Sequence, residues 1–573
     1  MTETPAAAQA LVTHAEQLCE HVDHLWDLLT HLSIPTDHLV DTRQQHKVTF
    51  DTGAMTRAFL YQHARGFSQK ELAGRMDARP VLVHRFGLDS TPTQQTLSDV
   101  WTAFGDVTCE IIEAAAIGIR RTAVEHGVIA EALVPTAPSG DDTDAEAHES
   151  EKEYTRRKAT KTFKLARKHG FPEFESGRTL NRQFDDEQIL DMVARVCAHE
   201  GSAHEEGEHA WITDDDQTAH GSTILRVLKL FATPDGEAAQ LTIDELRDDD
   251  RMPDIDRIRD TLMTAYDNSV ENVINTIRGD DPFDDRKVTA AIDITHERFH
   301  VFPWQDKAAG IPKADYPRMV SGYKKNGEYK RGYKYATITL VGDLAPIPLA
   351  IEPVKENSNW EADDAPSYSK AALVERLLDK ALQFVDIDEV MFDRGFYSND
   401  VYAAVANRGL TYLSPVPKYE DEYESIADIE SHPEADAAVK HDVPFGHDGE
   451  VHHTAEFLYV PSTNDDADGK YAVFVTNRDR VEFDEIEAVC NRYSRRWDIE
   501  NQYKSIKKFL PRTSSTDYRV RLCNFVLATL FYVLWRLTDY LIKRGKDVRI
   551  RSPPEITAKT FVRALGEFLR TVD

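Results

Sequence analysis

From residue 286 the chain alternates short apolar runs with amphipathic ones, and few folds accommodate that order. Residues 287–295 (KVTAAIDIT), 333–342 (YKYATITLVG) and 346–354 (PIPLAIEPV) read as strands. The turn signal at Gly342 and Asp343 joins the last two as a hairpin. Residues 369–384 carry three- and four-residue apolar spacing and read as a helix. The run 387–396 (IDEVMFDRGF) reads as a strand broken at Gly395, 399–409 as a helix closing on a glycine, and 410–416 as another strand. The order β-β-β-α-β-α-β predicts an α/β fold, a mixed sheet flanked by helices. A detour over 417–480, with an acidic loop and the strands HHTAEFLYV and KYAVFVTN, reads as a β-rich insertion before the next helix.

Two carboxylates stand out in this frame. Asp293 and Asp393 each fall at or near the carboxyl end of an apolar strand, where functional groups of open α/β sheets gather. A half-buried carboxylate is costly unless it is paired or holds a metal. For Asp293, capping the strand end and ligating a metal are equally open. Asp393 makes the stronger case, because Arg394-Gly395-Phe396 forms an abrupt turn that presents it.

The helix after the insertion supplies a third acid. Tyr493, Arg496, Glu500 and Lys507 stand at offsets 0, 3, 7 and 14, which at roughly 100° per residue share one narrow helical stripe. Ile499, Ile506 and Leu510 fall to one side and give the helix a face to bury. A solvated stripe with an i,i+4 ion pair between Arg496 and Glu500 is the plainer explanation of the stripe taken alone. Together, two strand-end aspartates and a helix glutamate are three hard oxygen donors, a set suited to Mg²⁺. Two such ions activate a water or a 3′-hydroxyl and stabilise the leaving oxygen of an in-line displacement, with no nucleophilic side chain required.

With these residues in place, the chain resembles the DDE transposases of prokaryotic insertion sequences, which have an RNase H-like catalytic core. The resemblance rests on AIDIT around Asp293, FDRGF around Asp393, and the Tyr-x2-Arg-x3-Glu-x6-Lys signature at Tyr493, Arg496, Glu500 and Lys507, and covers about 286–540. It implies that Asp293, Asp393 and Glu500 bind two Mg²⁺ or Mn²⁺ ions. It also implies that Tyr493, Arg496 and Lys507 grip transposon-end DNA, with Lys504 and Lys508 extending that surface. The reaction implied is cleavage at the element's terminal inverted repeats and strand transfer into target DNA, within a homodimeric synaptic complex. Phe396 and Tyr397 lie near the position of a base-flipping aromatic, a role that neither residue is assigned.

A net charge of −31 opposes DNA binding in bulk, so any DNA contact must use local basic islands. Three exist: 154–168, rich in Lys and Arg with no acid; 322–335, five Lys/Arg against Glu328; and 492–521, nine Lys/Arg against Asp498, Glu500 and Asp517. In 322–335 the tyrosines 323, 329, 333 and 335 interleave with the cations, as base-stacking surfaces do, or pack a hairpin onto the sheet. Lys504, Lys508, Arg512, Arg519 and Arg521 prolong the third island, for phosphate contact or plain solvation. A generally acidic surface also suits a salt-rich, halophilic cytoplasm. Five scattered cysteines without a CxxC pair argue for a reducing interior. No signal peptide is apparent at the N-terminus, and the apolar run 525–535 reads as a buried core helix too short to span a bilayer. A cytoplasmic, nucleoid-associated protein is expected.

The expected organisation is a helical N-terminal domain at 1–137, possible as a DNA-binding unit or a plain bundle, and an acidic linker at 138–153. A mainly helical region follows at 154–285, then the core at 286–416, the insertion at 417–480, the rest of the core at 481–545 and a C-terminal helical segment at 546–573. Ser68 with Glu71 makes a capping-box pattern ahead of ELAGRM. His199, His204 and His209 suggest a metal site, but their acidic, small-residue surroundings favour a solvated loop. Two rival functions remain. His296-Glu297-x-x-His300 is a literal zinc-protease motif, which needs both histidines one turn apart on a helix. A non-catalytic DNA-binding protein derived from a transposase is the other.

Overall fold

The computed structural model describes residues 6–571 except 20, 23, 44–47, 79, 130–150, 180–181, 214–217, 235–253, 279–287, 305–309, 313–314, 326, 343, 357, 359–368, 433–436, 448–449, 463–469 and 547. Most of the expected linker therefore lies outside the described residues, as does Asp343; residues 151–153 open the helix Glu151–Leu165. The chain divides into two compact units. One comprises 1–161, 278–286 and 538–555; the other comprises 162–277, 287–537 and 556–573.

The first unit is helical among its described residues, with helices Ala6–Cys19, Leu25–His31, Thr52–Arg65, Gln69–Ala78, Pro80–Phe86 and Gln94–Glu125. Local signals set their ends. Asp51 accepts from the N–H groups of Gly53 (2.8 Å) and Ala54 (3.1 Å), and Ser68 and Glu71 cap each other reciprocally, as the sequence predicts. The amphipathic faces bury Leu28, Met55, Phe59, Phe104, Ile112 and Ile119 in one core. Each such side chain contributes about 1.5–3 kcal/mol on leaving water.

The second unit is mixed α/β, built on a nine-stranded sheet flanked by helices. Its strands are β1 (Thr289–Arg298), β2 (Ser321–Lys325), β3 (Glu328–Leu340), β4 (Pro348–Pro353), β5 (Glu389–Phe392), β6 (Thr411–Pro415), β7 (Ala438–His447), β8 (Glu450–Pro461) and β9 (Tyr471–Thr476). They run in the order β2-β3-β1-β5-β6-β9-β8-β7, with β4 also on β3. β3 is antiparallel to β1, whereas β5 is parallel to β1 and β6 parallel to β5. In the stretch β4-β3-β1-β5-β6, β3 is antiparallel to both β4 and β1, while β5 and β6 run parallel to β1. The central strands are apolar runs because both their faces are covered: Ala290, Ala291, Ile292, Val390, Met391 and Phe392 are all buried.

Several expectations change at this level. In the insertion β9 pairs with β6, so β7, β8 and β9 prolong the same sheet. Its strand β7 and the helix Glu420–Glu430 escaped the sequence reading. The stretch read as a solvated loop around His204 is the helix Ala203–Ile212, because Ser202 and Glu205 form a capping box. The apolar run 525–535 is the middle of a longer helix, Tyr518–Gly545, which holds an 18-residue window apolar enough to cross a membrane. That window is wholly buried in the protein, as befits a core helix. In the 322–335 hairpin, Tyr333 and Tyr335 are core residues, and Tyr335 stacks on Phe525 at 3.9 Å. Two of its four tyrosines are thus closed to nucleic acid.

Candidate active site

The register of β1 and β5 places the two aspartates side by side. Their parallel pairing ends at Ile292↔Phe392, so Asp293 and Asp393 follow at the same level on strands about 4.8 Å apart. Asp293, expected at or near the carboxyl end of its strand, lies inside it. β1 continues to Arg298 against β3, and Asp293 sits where the parallel neighbour stops. Loss of one neighbour opens one edge of the strand at this residue, which gives the carboxylate its place.

Asp393 caps a one-turn 3-10 helix, Arg394–Phe396, and its Oδ1 accepts from the Gly395 N–H at 2.7 Å. A Cβ at position 395 would lie 2.9 Å from that oxygen, so a larger residue there would push the carboxylate out of this position. Lys370 Nζ donates to the Gly395 carbonyl at 2.7 Å and pins the turn from the helix Lys370–Ala381.

Glu500 lies in the first turn of the helix Trp497–Phe509. The signature segment is not one continuous α-helix, since Tyr493–Arg496 forms a 3-10 turn before it. Ile499 and Ile506 are buried as expected, but Leu510 is the half-buried residue after the last turn, and Tyr503 completes the buried stripe instead. Arg496 Nη2 binds Glu500 Oε1 at 2.6 Å, and its Nη1 lies 3.6 Å from Asp293 Oδ2, so one guanidinium bridges two of the three acids. Burial, and then the charge of Asp393, push the Asp293 carboxyl up to about 7; Glu500 adds to this, while the Ile294 N–H and Arg496 oppose it. Asp393 and Glu500 thus both act on Asp293, and the Arg496 guanidinium bridges Asp293 and Glu500.

Two tyrosines that flank Glu500 hold the backbone beneath the aspartates. The Tyr503 hydroxyl donates to the Asp293 carbonyl at 2.7 Å and bonds the Thr337 hydroxyl at 2.9 Å. The Tyr493 hydroxyl donates to the Phe392 carbonyl, next to Asp393, at 2.9 Å. The only proton of the Tyr493 phenol is thereby committed inside the protein, and burial raises its pKa. Asp498 accepts from the Gly342 N–H at 2.9 Å and fastens the same helix to the loop after β3. The sequence reading missed Tyr503. Its available signal was an aromatic residue four positions after Ile499 and three before Ile506, on the face turned to the strands.

Lys504, Lys507 and Lys508 are exposed on the later turns of this helix. Arg519 and Arg521, grouped with them in sequence, are buried. Arg519 pairs with Asp517 at 2.8 Å and Arg521 with Glu297 at 2.9 Å. Glu297 also accepts from the Tyr335 hydroxyl at 3.2 Å. The HExxH stretch therefore lies on β1 and its exit, not on a helix, and its glutamate is one half of a buried ion pair. His296 stacks on Tyr323 at 4.2 Å. This geometry removes the basis of the protease reading.

The donor chemistry at Asp293 suits a divalent ion, since burial and the charges of Asp393 and Glu500 make this carboxyl reluctant to ionise without a cation. Among the described residues, no three His, Cys, Asp or Glu side chains surround a common point closely enough to hold one ion. Arg496 instead spans Glu500 and Asp293.

Residues 291–534, less than half of the chain, match the family model described as the transposase DDE domain. No curated protein matches the chain. Among solved structures, it is similar to one titled the cryo-EM structure of piggyBac transposase synaptic complex with hairpin DNA. That match has a TM-score of 0.43 and 12% identity over 72% of this chain and 81% of that one.

Proposed function

We propose that this chain, whose residues 291–534 match the transposase DDE domain, is a metal-dependent DNA transposase that cuts element ends and joins them to target DNA. The observation that carries the reading is the register Ile292↔Phe392, which sets Asp293 and Asp393 abreast, with Glu500 tied to Asp293 through Arg496. In this reading Asp293, Asp393 and Glu500 hold two Mg²⁺ or Mn²⁺ ions. The ions would supply the Lewis acidity that activates the attacking water or 3′-hydroxyl and steadies the leaving oxygen.

The chain's own residues do the rest. Asp293 gives up the proton that burial favours, and Glu500 would hold a metal in place of its bond to Arg496. The released guanidinium then faces the phosphate, where its planar fork suits two phosphate oxygens. Tyr493 and Tyr503 keep the two aspartate backbones in register. Their bonds are to main-chain carbonyls, so they hold position without competing for the ions. Lys504, Lys507 and Lys508 contact the DNA backbone, Tyr493 lies at the edge of that surface, and two copies of the chain bring two element ends together. The acid surplus keeps the rest of the surface hydrated in a salt-rich, halophilic cytoplasm.

The test uses the full chain on plasmid DNA that carries the sequences flanking its gene. Asp293→Asn, Asp393→Asn and Glu500→Gln should each abolish Mg²⁺- or Mn²⁺-dependent nicking and leave duplex binding intact. Cleavage that survives one of these changes removes that residue from the site. Wild-type protein that binds the DNA without cutting it in either ion would favour the non-catalytic, transposase-derived reading instead.

A further inference from the structure

Beyond the carboxylates, the catalytic helix runs into a cleft of about 600 Å³, of whose cations the reading above uses only Lys507 and Lys508. Lys507, Lys508 and Arg512 line it on one side and Lys559 on the other, with Phe509 among the lining residues and Glu200 as the only acid. The described side chains of this cleft thus carry four positive charges against one negative, in a chain whose net charge is −31. Acidic surfaces do not gather cations by chance.

The cleft is held in shape by the backbone. The Arg512 N–H donates to the Gly201 carbonyl at 2.8 Å, which joins the end of the catalytic segment to the loop that carries Glu200. The first turn of the helix Ala558–Thr571 forms the other wall, so the positive end of that helix adds to the field. Lys559 Nζ binds Glu200 Oε1 at 2.9 Å, with both side chains about half exposed. That bond, and then the charges of Lys559, Arg512 and Arg563, lower the Glu200 carboxyl. An exposed pair of this kind is weak, so a phosphate can replace Glu200 as the partner of Lys559 at small cost.

We propose that this cleft binds the phosphate backbone of duplex DNA on one side of the reacting phosphodiester, with Lys559 leaving Glu200 to meet it. The inference rests on the transposase reading and extends it to residues outside the signature. Glu500 and Lys507 are seven residues apart on one helix, about 10 Å along its axis. At 3.4 Å per nucleotide of one strand, a duplex in the active site would reach the cleft about three nucleotides on. A small phosphate ester could meet only part of this cleft, whereas a continuous backbone reaches its cations together.

The experiment measures binding of a labelled random-sequence duplex by the full-length protein in EDTA, across a series of KCl concentrations. Each phosphate contact contributes about 0.9 to the slope of log affinity against log salt. The double variant Arg512→Ala, Lys559→Ala should lower that slope by about two. Glu200→Gln, which frees Lys559 and removes the only acid, should bind the duplex more tightly than wild type. Thermal unfolding of both variants should match wild type, since these side chains are exposed. The inference is overturned if wild type binds while both variants keep its affinity and slope. Failure of the underlying reading looks different, because wild type itself would then not bind the duplex at any salt.

Discussion

The Asp293 carboxyl, held near pH 7 by burial and by Asp393, makes ion binding depend on proton release. At pH 6 a group with a pKa of about 7 is ionised in only about one molecule in ten. Each pH unit below the pKa therefore costs about 1.36 kcal/mol, or tenfold in apparent affinity. Mn²⁺ binding to the full-length protein, followed by the paramagnetic resonance of the free ion, should rise about fivefold from pH 6 to 7, about tenfold in all, and flatten above about pH 8. Asp393→Asn removes the second-largest cause of the shift, so the bend should move to lower pH even as absolute affinity falls.

The same shift has a definite sign for stability. The folded-state pKa lies above the ordinary carboxylate value, so the stabilising contribution is complete below about pH 4 and is lost as pH climbs to about 7. Without divalent ions the unfolding free energy should fall across that window by up to about 4 kcal/mol. Adding Mg²⁺ at pH 8 should recover part of the loss. Affinity that is flat from about pH 6 to 8, or a bend that moves upward in Asp393→Asn, would refute the reasoning.

Other expectations concern the supports and the solvent. Tyr503→Phe leaves the Asp293 carbonyl and the Thr337 hydroxyl each short of a buried partner. It should lower stability by about 1–3 kcal/mol in urea unfolding and slow cleavage without weakening duplex binding; unchanged cleavage would deny it a positioning role. Arg521→Met strands the buried Glu297 carboxylate and should cost about 3–5 kcal/mol, most of it recovered when Glu297→Gln is added. Absence of that recovery in a double-mutant cycle would mean that the pair is not the structural unit described. If the acid surplus reflects molar salt, the protein should lose its fold and activity as KCl is withdrawn, and an active, folded protein at low salt would remove the halophilic reading.

The sequence disclosed the central sheet better than it disclosed the surroundings of the site. Apolar runs such as Val390–Phe392 need both faces buried, which leaves little choice but a central parallel strand. The acids stood out because apolar strands rarely carry carboxylates. The exact place of Asp293 did not, because it depends on where β5 stops pairing, a non-local fact. Arg519 and Arg521 looked like a continuation of the basic surface, since charge pattern along the chain cannot show that Asp517 and Glu297 are waiting as buried partners. The helix over Ala203–Ile212 was legible in principle, because Ser202 and Glu205 have capping-box spacing, but its run of His and Glu masked the pattern. Tyr503 and Tyr493 could be placed on their turns from sequence. Their bonds to the Asp293 and Phe392 carbonyls emerge only when the helix meets the strands.

The convergence of three distant acids is the claim on which all of this depends, and iron can read it directly. With Fe²⁺ in place of Mg²⁺, ascorbate and peroxide generate radicals that cut the polypeptide next to the bound ion. The account predicts fragments ending near residues 293, 393 and 500 together, suppressed by excess Mg²⁺ and absent in Asp393→Asn. Cuts confined to another cluster, such as His199 to His209, or the loss of any one of the three, would contradict it.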